Sequence, residues 1–268
     1  MSCALKWETV KLQGPTLKAS YPNEAGPEDR QDRVPGFSTE IAKQKKVLIV
    51  GAAGLGGAIA PAMARKGYGE LRICDSDVVE LSNMPRQMFY PGDLYQNKAL
   101  ALAKNVARES CFGTVCVGHA VDFGPETADV LSEGIDFAVV GVDSDYVRAF
   151  ASRYFRRKRL PVIFTAVSDD AGRGWAFVQE VEGPCLGCVF PYLASVDAAH
   201  DPCQPSPAAI DVLRLVGALV TFAADTLNMK RERHWNYKGL SLLGDQPDVS
   251  DNVRRRKVCG LCGGTEGA

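Results

Sequence analysis

The stretch VLIVGAAGLGG at 47–57 decides the fold of this chain. VLIV is a short, uninterrupted run of apolar and mostly β-branched residues, the pattern of a strand buried on both faces of a sheet. A glycine-rich segment follows at 51–57, here called the glycine turn, and then a helical pattern to about Lys66. ELRICD at 70–75 has the pattern of a second strand. Strand, turn, helix and strand in this order predict a βαβ unit.

The glycine turn is typical of a phosphate site. Gly51, Gly54 and Gly56 allow backbone N–H groups to approach an anion at a helix N-terminus, where the helix dipole also attracts it. Asp75 ends the second strand and can accept hydrogen bonds from ribose hydroxyls. Ala53 occupies a position that a strict GxGxxG motif gives to glycine. The turn alone is therefore compatible with NAD, FAD or ATP.

The rest of the chain alternates between helical and strand patterns. We predict helices at 95–109, 125–133, 146–157 and 207–227, strands at 115–121, 136–143, 161–167 and 175–181, and a weak strand pair at 234–243. Repeated βα units predict an α/β fold with a doubly wound, mostly parallel, Rossmann-like sheet. Its ligands should bind at the carboxyl ends of the strands.

The composition fits one α/β domain with extensions, or at most two small domains. The chain has 268 residues, of which 46% are hydrophobic and 24% charged, as in ordinary globular proteins. A formal net charge of −1 excludes the general basic field that attracts nucleic acid. The basic run at 254–257 is typical of a solvated surface or of the flank of a metal site. We therefore expect no nucleic-acid partner.

Other features indicate a cytoplasmic protein. The first residues, MSCALKWETVKLQG, lack the apolar core of a signal peptide. The apolar helix predicted at 207–227 contains Asp211, Arg214 and Asp225, which argues against a membrane span. Nine cysteines without a secretion signal indicate reduced thiols that are available for a metal or for catalysis.

A second motif, DSDVVELSNMPRQMFY at 75–90, narrows the function. Together with the glycine turn it resembles the ubiquitin-activating superfamily, specifically the MoeB/ThiF-type adenylating enzymes. The matching positions are Asp75, Asp77, Val79, Ser82, Asn83, Arg86 and Gln87, with Lys98 and Asp143 at the expected separations. The resemblance covers about residues 33–263 and departs from the family at 52–53 and 84–85. It implies that the turn binds ATP.

The chemistry of adenylation gives these residue types their roles. A carboxylate attacks the α-phosphorus of ATP, so cations and a metal must neutralise the triphosphate. Arg86 and Lys98 are suitable cations, and Asn83 can donate a hydrogen bond to a phosphate. Asp143 can hold Mg²⁺ through its carboxylate oxygens. The resemblance assigns Asp75 to the ribose.

Changes in composition and pattern divide the chain into three parts, and the resemblance predicts a homodimer. We expect an N-terminal arm at 1–40, a nucleotide-binding adenylation core at 41–182, and a crossover loop, long helix and zinc-tied extension at 183–268. In the family, an arginine of the neighbouring protomer's arm reaches the γ-phosphate. Arg33 is the best match for that residue, and Arg30 is the alternative.

Two CxxC motifs predict a structural zinc site. They are Cys185-Leu-Gly-Cys188 and Cys259-Gly-Leu-Cys262, here called the first and second knuckles. Paired CxxC motifs supply the four thiolates of a tetrahedral Zn²⁺ site, which has no open position for catalysis. A redox-active CxxC is the alternative, but it does not explain the second pair.

Cys203 is a candidate nucleophile. In family members that pass their product to sulfur, a cysteine follows a CxxCxFP segment, and Cys188-Val-Phe-Pro191 matches that segment. A thiolate in an exposed loop could attack the acyl adenylate and give a thioester or an acyl disulfide. Gln204-Pro205-Ser206-Pro207 replaces the usual glycine-rich continuation. A loop cysteine without a covalent role is the alternative.

The resemblance implies ATP-dependent adenylation of the C-terminal glycine of a small ubiquitin-like or sulfur-carrier protein that ends in Gly-Gly. The cofactors would be ATP, Mg²⁺ and Zn²⁺. A peptide-modification enzyme, a tRNA-modifying dehydratase and a nucleotide-binding subunit that docks a partner without catalysis are alternatives. An NAD-dependent oxidoreductase is a further alternative, but it explains neither the SNMPRQ segment nor Lys98.

Overall fold

The structure is a computed structural model that describes residues 6–196 and 207–263. Its strands are β1 (Thr9–Gln13), β2 (Lys46–Val50), β3 (Glu70–Cys74), β4 (Val115–His119), β5 (Phe137–Val140), β6 (Val162–Val167), β7 (Arg173–Gln179), β8 (Tyr237–Ser241) and β9 (Val249–Asp251). Its helices are α1 (Thr39–Lys43), α2 (Gly54–Lys66), α3 (Lys98–Glu109), α4 (Ala128–Leu131), α5 (Asp145–Lys158), α6 (Leu186–Val189) and α7 (Ile210–Asn228). Short 3₁₀ turns lie at 81–83, 91–93 and 191–195.

All strands join one sheet in the order β1-β4-β3-β2-β5-β6-β7-β8-β9. The five central strands, β4 to β6 in that order, run parallel, and antiparallel strands extend the sheet at both edges. The chain leaves β2 in one direction through β3 and β4, and then returns to β5 on the other side of β2. The carboxyl ends of β2 and β5 therefore form the topological switch point, where ligands bind in such sheets.

Helices cover both faces of the sheet, which confirms the α/β expectation. Residues of α2, α3 and α7 share one buried apolar cluster with the sheet, and residues of α4, α5 and α6 share a second one. Val47 to Val50 of β2 are at most 2% exposed, as the uninterrupted apolar run predicts. No helix in the described part of the chain is long and apolar enough to cross a membrane.

The predicted arm at 1–40 differs from expectation in one respect. No strand was predicted within it, but Thr9–Gln13 forms β1 and pairs with β4. Only alternate residues of β1 are partly buried, so the segment carries little apolar signal of its own. Its position depends on an edge that β4 supplies, and such edge pairing is set by tertiary context.

Candidate nucleotide site and cysteine cluster

The glycine turn joins the carboxyl end of β2 to α2, and steric limits fix its glycines. Gly51 has a φ of +98°, a conformation that side chains rarely adopt. A Cβ atom at Gly56 would lie 2.1 Å from the carbonyl oxygen of Gly51. A Cβ atom at Gly54 would lie 2.7 Å from Leu213 Cδ1 of α7. Gly54 thus allows close helix packing, a requirement separate from the predicted approach to phosphate.

The N-terminal end of α2 presents backbone donors at this turn. The N-cap residue is Ala53, and no side chain within the described residues caps the helix. The first-turn N–H groups therefore lack side-chain acceptors, and the positive end of the helix dipole lies beside them. This arrangement can hold a phosphate.

Asp75 fastens the glycine turn to β3. Its Oδ2 accepts a hydrogen bond from Ala52 N at 2.7 Å, and its Oδ1 accepts one from Asp77 N at 2.9 Å. Burial raises the pKa of the Asp75 carboxyl, while these two N–H groups and Lys98 limit that rise. The structure thus places Asp75 against the glycine turn, and its contact with ribose remains a prediction.

Lys98 lies beside Asp75 at the start of α3. The lysine is 8% exposed, and its Nζ lies 2.7 Å from Asp77 Oδ2. Asn97 caps α3 by accepting a hydrogen bond from Leu100 N, and it donates to Asp75 O at 2.8 Å. Sequence analysis assigned no role to Asp77 or Asn97, although Asn before a helix is a recognisable N-cap signal.

Arg86 belongs to a segment that packs against α2. A Cβ atom at Gly57 would lie 3.1 Å from Met88 N, so the chain two residues after Arg86 touches the second turn of the helix. The guanidinium of Arg86 donates to Ser82 O at 2.5 Å. It is partly exposed, and among the described residues its acceptor is this neutral carbonyl, which a phosphate could replace.

Asn83 has a structural task that the sequence analysis missed. It is 5% exposed, and its Oδ1 accepts a hydrogen bond from Glu80 N at 2.9 Å, which caps the 3₁₀ turn at 81–83. The predicted donation from Asn83 to a phosphate stays a prediction.

Asp143 lies at the switch point of the sheet. Gly141 N donates to Val50 O at 3.0 Å, and a Cβ atom at Gly51 would lie 3.1 Å from Gly141 O. Asp143 follows two residues later, is exposed, and precedes α5, which begins at Asp145. The carboxyl end of β5 thus meets the glycine turn, and Asp143 is a surface carboxylate next to that junction.

Arg33 lies away from the glycine turn of its own chain. Its Nη2 is 2.9 Å from Asp29 Oδ1, and its side chain is 75% exposed. Gln31, two residues earlier, donates to Lys66 O at the C-terminal end of α2. The 13 residues of α2 span about 20 Å, so the arm packs at the far end of that helix. Arg30, the alternative, belongs to the same segment.

The four knuckle cysteines converge as predicted. Their sulfur atoms all lie within 4.8 Å of one another. The Sγ–Sγ distances are 3.8 Å for Cys185–Cys188, 3.4 Å for Cys185–Cys259 and 3.8 Å for Cys188–Cys262. Tetrahedral coordination with a Zn–S bond of about 2.3 Å requires sulfur atoms about 3.8 Å apart. The residues therefore fit a tetrahedral metal ion.

A glycine allows the two knuckles to pack together, and backbone N–H groups within the second knuckle act on its thiol. A Cβ atom at Gly187 would lie 2.7 Å from Leu261 Cδ1, so the first knuckle packs directly on the second. Burial raises the pKa of the Cys259 thiol, but backbone N–H groups of Cys262 and Leu261 outweigh it and lower that pKa to about 7. These N–H groups therefore favour the thiolate form of Cys259.

Cys203 lies outside the described residues. Its role as a covalent acceptor remains a prediction.

Comparison with known proteins identifies the family. Residues 30–233 match the ThiF family. The chain belongs to the ThiF family. This confirms the resemblance seen in the glycine turn and in the SNMPRQ segment.

Several curated relatives match more than four-fifths of this ThiF-family chain. It is 31% identical over 231 residues to SAMP-activating enzyme E1 of Haloferax volcanii, covering 81% of this chain and 80% of that enzyme. It is 27% identical over 234 residues to sulfur carrier protein adenylyltransferase of Thermus thermophilus, covering 84% of each chain. It is 29% identical over 251 residues to adenylyltransferase and sulfurtransferase UBA4 of Yarrowia lipolytica, covering 91% of this chain and 62% of UBA4. The chain thus spans about three-fifths of the length of UBA4.

Solved structures share the fold of this ThiF-family chain. E. coli MccB with MccA-N7isoASN superposes with a TM-score of 0.71 at 20% identity, covering 84% of this chain and 68% of that chain. PaaA superposes with a TM-score of 0.65 at 20% identity, covering 81% of this chain and 67% of that chain. At this identity the likeness concerns the fold alone.

Proposed function

We propose that this chain uses ATP to adenylate the C-terminal carboxylate of a small ubiquitin-like or sulfur-carrier protein that ends in Gly-Gly. The observation that carries the proposal is the hydrogen-bonded set of glycine turn, Asp75, Asp77 and Lys98 at the carboxyl edge of the sheet. A dehydrogenase site has no need of a buried lysine at that place. The names of the relatives, two of them adenylyltransferases and one an activating enzyme, support the same reaction.

The residues divide the work of binding a triphosphate. The first turn of α2 receives a phosphate on its N–H groups, and Asp75 accepts from the ribose. Arg86 leaves the neutral carbonyl of Ser82 for a phosphate oxygen, because a charge-assisted hydrogen bond is stronger than a neutral one. Lys98 leaves the carboxylate of Asp77, since an ion pair with so exposed a partner contributes little and the triphosphate carries more negative charge. Asp143 would hold Mg²⁺, which neutralises the negative charge that moves to pyrophosphate as it leaves.

We also propose that the cysteine cluster binds one Zn²⁺ per chain. The supporting observations are four sulfur atoms at tetrahedral spacing and the burial of three of the four cysteines. With four thiolates bound, the ion has no open position, so its role is structural. Reduced cysteines in such a cluster fit a cytoplasmic protein.

The position of Arg33 supports a homodimer in which each arm completes the other chain's site. Arg33 belongs to the arm segment that contacts the far end of α2 through Gln31, and it forms an exposed ion pair with Asp29. An exposed pair of this kind contributes little and opens readily. In the proposed dimer, Arg33 or Arg30 would contact the γ-phosphate in the neighbouring protomer.

Transfer of the acyl group to Cys203 is the second step that we propose. The thiolate would attack the acyl carbon and displace AMP, which gives a thioester. An acyl disulfide would form only if Cys203 carried a persulfide, whose outer sulfur would attack the acyl carbon and likewise displace AMP. A peptide is the alternative substrate, and it is compatible with the fold that this chain shares with MccB. A docking subunit without catalysis would not need Lys98 beside Asp75.

ATP–pyrophosphate exchange tests the proposal. Purified protein, Mg²⁺ and a small β-grasp protein ending in Gly-Gly should exchange labelled pyrophosphate into ATP. The same partner without its last two glycines is the matched control and should give no exchange. Exchange with a peptide alone would replace the protein substrate by a peptide. Absence of exchange with every partner, together with tight NADH binding, would refute adenylation.

A further inference from the structure

The basic run at 254–257 lies immediately before the second knuckle, and its residues differ in their contacts. Arg256 donates from Nε to Cys188 O at 2.8 Å, and its backbone N donates to Cys188 Sγ at 3.4 Å. Arg255 donates from Nη2 to Cys262 O at 3.1 Å. The two arginines therefore hold cysteines of opposite knuckles.

Arg254 and Lys257 provide a contrast within the same run. All four residues of the run are exposed, but in the described part of the chain no hydrogen bond joins the side chain of Arg254 or Lys257 to the cysteine cluster. Four neighbouring cations of similar size thus form two classes. Arg255 and Arg256 are hydrogen-bonded to the knuckles, whereas Arg254 and Lys257 are not.

The charge of a metal-loaded cluster explains why cations would be needed there. Four thiolates around Zn²⁺ carry a net charge of −2, and Cys185, Cys188 and Cys259 are buried. A buried charge without compensation is costly, and N–H groups aimed at sulfur lower that cost. Arg255 and Arg256 together carry a charge of +2.

We propose that Arg255 and Arg256 retain the metal ion, by neutralising the tetrathiolate and by fixing the backbone of Cys188 and Cys262. The proposal rests on the zinc site proposed above. Outer contacts of this kind typically change metal affinity by about 10–100-fold when they are removed. Arg256 should matter more, because it contacts the first knuckle across 68 residues of sequence, whereas Arg255 contacts a carbonyl seven residues away.

Zinc release from the full chain tests the proposal. Excess EDTA is added to the zinc-loaded protein, and bound zinc is measured at intervals after rapid gel filtration. We expect Arg256→Ala to release zinc at least about tenfold faster than the unaltered chain. Arg255→Ala should give a smaller increase. Arg254→Ala and Lys257→Ala are matched controls that remove the same charge and should change the rate less than about twofold.

Two further variants separate charge from shape. Arg256→Lys keeps the charge and should release zinc at an intermediate rate, and Arg256→Gln keeps polar length but should resemble Arg256→Ala. If Arg256→Ala does not fold, these two variants still test the proposal. Equal release rates for all variants, or equal acceleration at 254 and 256, would overturn the proposal.

Metal content separates this inference from the zinc proposal on which it rests. An unaltered chain without bound zinc would refute the zinc site itself. If the chain binds zinc but the variants at Arg255 and Arg256 release it at the same rate as the unaltered chain, only the role of the arginines is refuted. ATP–pyrophosphate exchange measured before EDTA is added should be the same in Arg256→Ala and in the unaltered chain, since neither arginine belongs to the nucleotide site.

Discussion

Two regions of the molecule are built in opposite ways. One is the cluster of four knuckle cysteines, and the other, here called the nucleotide edge, consists of the glycine turn, Asp75, Lys98 and Asp143. At the nucleotide edge, Lys98 forms an ion pair with Asp77, whose side chain is 66% exposed. Asp143 is also exposed. In the cysteine cluster, the sulfur atoms face one another, and Cys185 is 1% exposed. Polar groups that hold exposed, replaceable partners can exchange them for a ligand. Buried groups that contact only one another instead stabilise the fold. The solvent exposure of the polar groups and their partners therefore distinguishes the candidate reaction site from the candidate structural site.

The largest expected effect belongs to the cluster. Cys185→Ser removes one of four thiolates, and we expect the loss of zinc and about 4 kcal/mol or more of stability. In a domain of this size that lowers the melting temperature by about 10 °C. Calorimetry and metal analysis measure both quantities. Cys111→Ser, at a partly exposed cysteine outside the cluster, is the control. A zinc-free protein of unchanged stability would contradict this view of the cluster.

Asp143→Ala tests the nucleotide edge. We expect pyrophosphate exchange to fall by about a hundredfold to a thousandfold, because the leaving phosphates lose the proposed metal ligand. The melting temperature should stay within about 2 °C, since the side chain is exposed. Asp169→Ala removes an exposed carboxylate after the next strand and should leave exchange unchanged. Retained activity in Asp143→Ala would remove this residue from the metal role.

Lys98→Ala should raise the KM for ATP by about tenfold to a hundredfold. This corresponds to the loss of a charge-assisted hydrogen bond of about 1.5–3 kcal/mol. Asp77→Asn keeps the lysine and weakens only its resting contact, so its effect on KM should be several-fold smaller. Initial rates at varied ATP distinguish the two. An equal effect of both variants would show that Asp77 also acts on the nucleotide.

Two glycine substitutions give the smallest effects and compare the regions directly. Gly56→Ala and Gly187→Ala each force a methyl group into a close contact, and we expect each to cost about 1–3 kcal/mol of stability. Only Gly56→Ala should also raise the KM for ATP, and only Gly187→Ala should accelerate zinc release. Gly92→Ala, with nothing within 4 Å of the added Cβ, is the control. Faster zinc release in Gly56→Ala, or a higher KM for ATP in Gly187→Ala, would mean that the two regions are coupled.

More of the cysteine cluster than of the nucleotide edge could be predicted from the sequence. Paired CxxC motifs define the cysteine cluster completely, because four sulfur ligands need only each other and a metal. The glycine turn and Asp75 were also recognisable, since local spacing fixes a βα junction. The pairing of Lys98 with Asp77 was not predicted, because it depends on how two loops meet.

The strands at the edges of the sheet were the hardest elements to predict. We expected a strand pair at 234–243, and the structure has β8 at Tyr237–Ser241 and β9 at Val249–Asp251. All three residues of β9 are exposed, so no apolar alternation marks it. Thr9–Gln13 was missed for a similar reason. Gly54 shows a related limit, because helix packing and phosphate binding both demand glycine there.

The meeting of the two knuckles has a consequence for the unfolded chain. Cys185 and Cys259 are 74 residues apart in sequence, and α7, β8 and β9 lie between them. A metal ion that joins such distant points closes a long loop, as a disulfide does. Closing a loop of this length removes about 4 kcal/mol of conformational entropy from the unfolded ensemble. Zinc can thus provide, in a reducing environment, the cross-link that secreted proteins obtain by oxidation.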